Sequence, residues 1–220
     1  MLAGKAIRGE SFPGREIRSW ESRLFTDRLP TCACVGAARH AKVDLMTDIS
    51  VRSLGEDDWQ DYRSVRLAAL RESPAAFAAT VDDEEAFDED LWRERMRRSA
   101  RLVAERSGEA IGVVSVGMAD AEEGNAGELF GLWVRPDARG SGVATRLVKQ
   151  GASLAAARGQ SHLVYWVGTE NGRAVAFASG MGFRPTDYRR PMGVVSEEDG
   201  EEEIAMVLPL GSDPSAAPRL

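Results

Sequence analysis

Residues 129–148 read LFGLWVRPDARGSGVATRLV, and this stretch carries the most informative pattern in the sequence. Its first part predicts a buried strand, its middle part a glycine-containing turn, and its last part an amphipathic helix. The first amides of a helix have no partner within the helix, and the helix dipole is positive at that end. The turn at residues 139–144 therefore predicts an anion site, which would suit a ligand that carries a pyrophosphate.

The composition of the chain is that of an ordinary globular protein. Its 220 residues carry a formal net charge of −7, whereas general nucleic-acid-binding proteins usually present a basic face. The sequence contains neither the ~18 consecutive apolar residues of a membrane span nor a secretory signal at its start. Cys32 and Cys34 lack the spacing and the further ligands of a zinc site. These features predict a cytoplasmic protein that binds no nucleic acid, no membrane and no metal.

The chain divides into a central folded part and two flanking segments. Residues 1–45 show no sustained periodicity and predict a disordered extension, and residues 211–220 predict a flexible tail. Residues 46–210 predict the order β-α-α-β-β-β-α-β-α-β, with the second helix at residues 84–98 and a loop at residues 184–202. This order indicates a mixed α/β (α+β) domain in which an antiparallel hairpin lies beside a parallel β-α-β unit.

Two common phosphate-binding motifs do not fit the glycine turn. A P-loop needs Lys and then Ser or Thr after its last glycine, and these residues do not follow Gly142. The dinucleotide motif Gly-x-Gly-x-x-Gly is met by Gly140 and Gly142, but Thr145 occupies its third position. A nucleotide-binding oxidoreductase is therefore disfavoured. A tight turn without a ligand would explain the two glycines but not Arg139 and the small residues that follow.

Three segments resemble the GNAT N-acetyltransferase superfamily. Residues 139–144, RGSGVA, match its acyl-CoA-binding motif Arg/Gln-x-x-Gly-x-Gly/Ala. Residues 132–137, LWVRPD, are similar to its Leu-Tyr-Val-x-Pro-x stretch, and residues 171–183 are similar to its Asn-x-x-Ala…Gly-Phe pattern. The three segments follow the family's order, and the resemblance covers about residues 46–210.

The resemblance implies both a fold and a cosubstrate. The fold is a mixed, mostly antiparallel central sheet flanked by helices, with a splayed parallel strand pair at residues 128–135 and 161–168. The cosubstrate is acetyl-CoA, whose pantetheine arm would lie between the two splayed strands, with its pyrophosphate on the amides of the turn. The residues expected to bind it are Leu132, Trp133, Val134, Arg139, Gly140, Ser141, Gly142, Val143, Ala144, Thr145, Asn171 and Ala174.

The first strand of this pair holds the candidate base and the candidate oxyanion donor. Glu128 is the candidate general base, since a period of two places it on one face with Phe130, Leu132 and Val134, although a surface acid is the alternative. The N–H of Val134 or Leu132 is the candidate oxyanion donor. Gly131 predicts either a bulge that opens the strand pair or a position of close packing.

The donor of a proton to the leaving thiolate is a departure from the family pattern. Ala178 stands where many family members have a tyrosine, and alanine cannot donate a proton. Ser179 is the nearest candidate, and Tyr188 or a water molecule are alternatives. The resemblance implies direct acetyl transfer from acetyl-CoA to a primary amine of a small metabolite, an amino acid or a protein.

Other parts of the function stay open at the level of the sequence. Ala178 motivates an alternative, a non-catalytic acyl-CoA-binding regulatory module. The acceptor is expected to be a small-molecule or peptide amine, selected by residues 73–83, in which Phe77 is prominent, and by residues 184–202. Dimers are common in the family that the chain resembles, so a homodimer is compatible with the sequence.

Overall fold

A computed structural model describes residues 49–119, 125–192 and 202–211. The strands are β1 (Ile49–Leu54), β2 (Ala100–Arg106), β3 (Glu109–Met118), β4 (Ala126–Val134), β5 (His162–Gly168), β6 (Arg184–Pro191) and β7 (Glu202–Pro209). The helices are α1 (Trp59–Glu72), α2 (Val81–Glu85), α3 (Glu89–Arg98), α4 (Val143–Ala157) and α5 (Gly172–Gly180). The predicted extension at residues 1–45 and nearly all of the predicted tail lie outside the described residues, so these boundaries stay predictions.

The strands form one sheet in the order β1-β2-β3-β4-β5-β7-β6. The pair β4–β5 is parallel, and the other five neighbouring pairs are antiparallel. The predicted fold class is therefore confirmed: a mixed α/β domain with a mostly antiparallel sheet, one parallel pair and flanking helices.

Helices cover both faces of this sheet. The side of α4 that packs on the sheet is apolar or small, with buried residues at Val143, Leu147, Val148, Gly151 and Ala155. On the opposite face, α1 and α3 bury Tyr62, Val65, Ala69, Trp92 and Met96. Because helices cover both faces, a ligand can reach the middle of the sheet only at a place where two neighbouring strands separate.

Two details of the predicted element order were wrong. Residues 184–191, predicted as loop, form the edge strand β6, whose mostly polar and exposed side chains give no apolar alternation. The single helix predicted at residues 84–98 is interrupted after α2. Asp88 then starts α3, since its side chain accepts a hydrogen bond from the Leu91 amide at 2.9 Å.

The parallel pair β4–β5 opens into a gap. Pairing runs from Ala126 with His162 to Leu129 with Tyr165, and it stops there although both strands continue. Just beyond this point, two residues of β4 lie opposite the single residue Val114 of β3, which is a β-bulge.

Gly131 is the first of the two bulged residues. Its φ is +63°, and a Cβ added there would lie 3.8 Å from its nearest neighbour, the Ser115 hydroxyl. The left-handed backbone, and not crowding, therefore requires glycine at this position. Of the two predictions for Gly131, the bulge is confirmed.

Candidate active site

The gap between β4 and β5 is the mouth of a cavity of about 530 Å³. Leu132 of β4, Tyr165 and Val167 of β5, and Asn171 and Ala174 at the start of α5 contribute to its lining. β4 and the segment from β5 to α5, which are distant in sequence, thus meet at one opening, because the two strands diverge after their last paired residues.

The predicted glycine turn lies at the end of β4 and starts α4. Gly140 has a φ of +79° and Gly142, the N-cap of α4, a φ of +83°. A Cβ at either position would meet no atom within 4 Å. Glycine is therefore needed for the left-handed backbone, and the outer surface of the turn is open to a ligand.

Most amides of this turn are available to bind an anion. The first amide bonded along α4 is that of Arg146, which donates to the Gly142 carbonyl at 3.0 Å. The Ser141 amide, predicted to bind the pyrophosphate, instead donates to the Ala138 carbonyl at 3.4 Å. Within the described part of the chain, no hydrogen bond is donated by the amides of Gly140, Gly142, Val143, Ala144 and Thr145. These five N–H groups form an anion site at a helix start.

Arg139 ties the turn to two neighbouring elements. Its Nε donates to the Val134 carbonyl at 2.9 Å, and its Nη2 donates to the Glu72 carboxylate at 2.7 Å. Glu72, at the end of α1, also accepts hydrogen bonds from the Ser73 hydroxyl and the Trp133 indole. The hydrogen bonds from Ser73 and Trp133 and the charge of Arg139 hold the pKa of Glu72 below its usual range. Arg139 and Trp133, predicted to bind the cofactor, are thus also fixed to α1.

Arg106, at the end of β2, is a cation beside the turn that the sequence analysis missed. Its Nη2 donates to the Ser141 hydroxyl at 3.2 Å, and its buried Nε has no hydrogen-bond partner among the described residues. No local sequence pattern signals this role, since only the folding of the sheet brings β2 and the turn together.

The amide of Val134 is directed into the gap. Arg135, the next residue, donates its amide to the Ile111 carbonyl of β3 at 2.9 Å. Neighbouring residues along a strand point their amides to opposite edges, so the Val134 amide faces away from β3 and toward β5. This orientation is compatible with the predicted oxyanion donor.

Asn171 caps α5 at the edge of the same cavity. Its Oδ1 accepts a hydrogen bond from the Ala174 amide at 3.1 Å. Its side-chain nitrogen donates no hydrogen bond to any other described residue. Asn171 can therefore fix the helix and still offer an N–H donor to a ligand.

Glu128 lies on a different face from the one predicted. Leu129, Leu132 and Val134 all pack on the α4 face, because the bulge at Gly131 shifts the alternation by one residue. Glu128 therefore does not share a face with Leu132 and Val134. It points to the opposite face of the sheet, where its carboxylate lies 3.6 Å from the Arg190 guanidinium.

None of the predicted proton donors lines the cavity. Ser179 is exposed on α5, and Ala178, beside it, is completely buried in the core. Tyr188 is 47% exposed on the edge strand β6.

Tyr165 is a tyrosine that does line the cavity, and the sequence analysis did not single it out. Its ring packs against Phe183 with 6.1 Å between ring centroids, and its hydroxyl makes no hydrogen bond within the described residues. Burial, with a smaller contribution from the charge of Glu203, raises the pKa of Tyr165 to about 12. In the sequence, Tyr165 is one of several apolar residues in a predicted strand, so the pattern does not distinguish it from a core residue.

Two further properties concern membranes and metals. In the described ranges, no helix is both long and apolar enough to cross a membrane. The same ranges contain no group of three or more His, Cys, Asp or Glu side chains that could hold a metal ion. Cys32 and Cys34, which lack the spacing of a zinc site, lie outside the described residues.

Comparison with known proteins gives matches to one group. The family described as "Acetyltransferase (GNAT) family" matches residues 59–183. An uncharacterized N-acetyltransferase of Archaeoglobus fulgidus is 28% identical over 147 residues, which cover 65% of this chain and 95% of that protein. Another, from Methanocaldococcus jannaschii, is 26% identical over 155 residues, and the match spans 68% of this chain but only 66% of that protein.

A solved structure shares the fold. The Salmonella typhimurium protein yncA, solved with its cofactor acetyl-CoA, superposes with a TM-score of 0.59 at 21% identity. The match covers 77% of this chain and 99% of that chain.

Proposed function

Because this chain belongs to the acetyltransferase (GNAT) family, we propose that it transfers the acetyl group of acetyl-CoA directly to a primary amine. The acceptor is a small metabolite, an amino acid or an amino group of a peptide or protein. The proposal is supported by the five amides around the start of α4 that donate no hydrogen bond within the described residues, next to the gap between β4 and β5. The cytoplasmic location and the absence of a metal from the reaction are parts of the proposal that rest on the sequence.

The turn and the gap divide the binding of acetyl-CoA between them. The five amides and the nearby cation of Arg106 bind the diphosphate. The pantetheine arm extends from the turn into the gap, where the exposed strand edges and the Asn171 side chain offer hydrogen bonds to its amides. This assignment accounts for a bulge in β4 that opens the sheet beside the turn.

The chemistry requires attack of a neutral amine on the thioester carbonyl. The amine nitrogen forms a bond to the acetyl carbon and loses one proton to water, the C–S bond breaks, and CoA leaves as a thiolate. The Val134 amide stabilises the negative oxygen of the tetrahedral intermediate. Glu128, on the opposite face of the sheet, accepts the proton of the incoming ammonium through a water molecule.

Tyr165 stabilises the leaving thiolate in this scheme. It belongs to the last pair before the strands diverge, so an arm that enters at the turn ends near its hydroxyl. A phenol with a pKa of about 12 is protonated at neutral pH. It is a weaker acid than a thiol with a pKa of about 8.5, so Tyr165 donates a hydrogen bond and the thiolate takes its proton from water.

A thiol-release assay over a panel of primary amines tests the proposal, with the thermal shift given by acetyl-CoA as the measure of binding. We expect a stabilising shift and acetylation of at least one class of amine. A shift without thiol release from any amine supports the alternative, a non-catalytic acyl-CoA-binding module, which the alanine at position 178 favours. The absence of both would contradict the site itself.

A further inference from the structure

Three arginines surround a single buried carboxylate between α1, α3 and β2. Arg66 and Arg95 donate to the Glu84 carboxylate at 2.9 and 3.1 Å. The third, Arg101, donates from Nη2 to the main-chain carbonyl of Arg95 at 3.0 Å. Among the described residues, Glu84 is the one carboxylate that forms an ion pair with this arginine cluster of Arg66, Arg95 and Arg101. The cluster therefore holds two positive charges in excess.

The burial of Arg101 means that this excess of positive charge destabilises the protein when no ligand is bound. The residue is 3% exposed, and its Nε and Nη1 have no hydrogen-bond partner in the described part of the chain. Burial is the main effect and lowers the pKa of Arg101; the interaction with Tyr62 opposes it, the charges of Arg95 and Arg66 lower the pKa further, and the charge of Glu84 raises it least. Buried cations without partners destabilise a fold, and they are rare unless another group pairs with them.

The cluster lies directly against the bulge of β4. The Arg66 Nη1 is 3.9 Å from the position that a Cβ on Gly131 would take, and its guanidinium stacks on Phe77 at 4.5 Å. The Arg101 guanidinium stacks on Tyr62 at 4.6 Å and lies 5.4 Å from the Phe130 ring. This is the α1 and α3 face, opposite the face that α4 and α5 cover.

Arg66 offers a donor toward that face. Its Nε and Nη2 both donate to Glu84, which fixes the plane of the guanidinium. Its Nη1 donates no hydrogen bond within the described residues, and its side chain is 12% exposed. A guanidinium fixed in this way presents an N–H to a carboxylate at low cost in side-chain entropy.

We propose that the arginine cluster binds a carboxylate of the acceptor, so that the amine substrate carries a carboxylate near its amino group, as an amino acid does. The inference rests on the proposed function, because it is the acceptor that must approach the thioester from the face opposite the cofactor. Arg66 contacts the carboxylate, and Arg101 and Arg95 add the positive potential behind it. Phe77, at the edge of this subsite, packs against the guanidinium that receives the substrate.

Matched pairs of amines test this subsite: amino acids, and the amines that they give on decarboxylation. We expect the wild-type protein to favour the carboxylate-bearing member of a pair at least tenfold in kcat/KM. Arg66→Gln removes the donor and is expected to reduce that preference to below threefold, mostly by slowing the acid member. Arg71→Gln is the control, because Arg71 lies on the same helix in an exposed ion pair with Glu85 at 2.8 Å. It should keep the full preference.

A second variant separates binding from folding. Arg101→Met removes a buried cation that forms no ion pair with a described carboxylate, so the variant should melt no lower than the wild type while its preference for the carboxylate falls. Equal kcat/KM for both members of every pair in the wild type, or an undiminished preference in Arg66→Gln, overturns the inference.

A binding measurement tests the carboxylate subsite without requiring that any amine is acetylated. The same amines are added in the presence of CoA, and the thermal shift is measured for the wild type and for Arg66→Gln. If no amine is acetylated, the proposed function fails. A larger shift with amino acids that disappears in Arg66→Gln would still support the subsite, and equal shifts in the two proteins would overturn it.

Discussion

The side chain of Tyr165 occupies the point where β4 and β5 separate, and this position gives a single residue a testable role. Its hydroxyl has no hydrogen-bond partner among the described residues, and burial raises its pKa further above neutral pH, to about 12. A donor at this point can stabilise the sulfur of a leaving thiolate. Ser179 has no such access, since it lies on the exposed side of α5.

We therefore expect Tyr165→Phe to lower kcat about 10- to 100-fold, the factor that corresponds to the ~1.5–3 kcal/mol of a hydrogen bond to a charged group. The KM for acetyl-CoA should change little, because the hydroxyl acts on a charge that develops during the reaction. Steady-state kinetics measure both values. Tyr188→Phe, at an exposed position on β6, is the control and should stay within twofold of the wild type. A kcat of Tyr165→Phe that is equally close to the wild type would remove Tyr165 from the mechanism.

A second single residue, Glu84, leads to a prediction about the stability of the protein. Its burial raises the pKa of the carboxyl, but the hydrogen bonds and charges of Arg66 and Arg95 outweigh this and hold the pKa below its usual range. A lowered folded-state pKa stabilises the protein above the unfolded-state pKa, about 4.3, and this stabilisation is lost as the pH falls through the folded-state value.

Glu84→Gln should cost about 3–5 kcal/mol at pH 7, because it leaves buried arginines without a counter-charge. It should also make the free energy of unfolding less dependent on pH below about 4. Urea denaturation at several pH values measures both effects. Glu85→Gln is the control: this neighbour forms an exposed ion pair with Arg71, and its loss should cost less than about 1 kcal/mol. Equal effects of the two substitutions would contradict the account of the cluster.

At the scale of elements, the bulge in β4 determines what the sheet can bind. It changes which face each residue of the strand presents, and it lies where β4 leaves β5. A regular strand would continue the ladder past Leu129 and leave no gap for an extended ligand.

Gly131→Ala tests this role of the bulge. The site has room for a methyl group, so the cost is conformational, and we expect about 1–2 kcal/mol of stability to be lost. The strand can escape this strain by losing the bulge, which would raise the KM for acetyl-CoA. Urea denaturation and steady-state kinetics provide the two measurements. Gly180→Ala is the control, because Gly180 ends α5 in open space without a positive φ. An unchanged KM for acetyl-CoA in Gly131→Ala would contradict a role of the bulge in binding.

The elements also show what the sequence could predict. The turn and helix at residues 139–157 have local signals, glycines and an apolar stripe, and they were placed correctly to within a residue or two. β6 has no such signal, since an edge strand with polar side chains is stabilised by its partner β7 rather than by its own pattern. Glu128 was placed on the wrong face of β4 because a period of two does not hold across a bulge. Arg106 and Tyr165 enter the site through the topology alone.

At the scale of the whole sheet, each of the two faces has its own proposed substrate. The helices α4 and α5 cover the face that we propose receives acetyl-CoA, and α1 and α3 cover the face with the arginine cluster and Phe77. The gap beside β4 connects the two faces. In the proposed reaction, the amine can therefore approach the thioester from the side opposite the rest of acetyl-CoA, as direct transfer requires.

The most direct test of this account is calorimetric titration of acetyl-CoA into the wild type, Gly142→Glu and Gly159→Glu. Both glycines have a positive φ and open surroundings, +83° at the start of α4 and +79° just after its end, so the two substitutions carry the same strain and the same charge. We expect Gly142→Glu to abolish binding, because a carboxylate would then occupy the proposed diphosphate site, and we expect Gly159→Glu to bind like the wild type. Equal binding by both variants would contradict the claim that the amides of the turn hold the diphosphate.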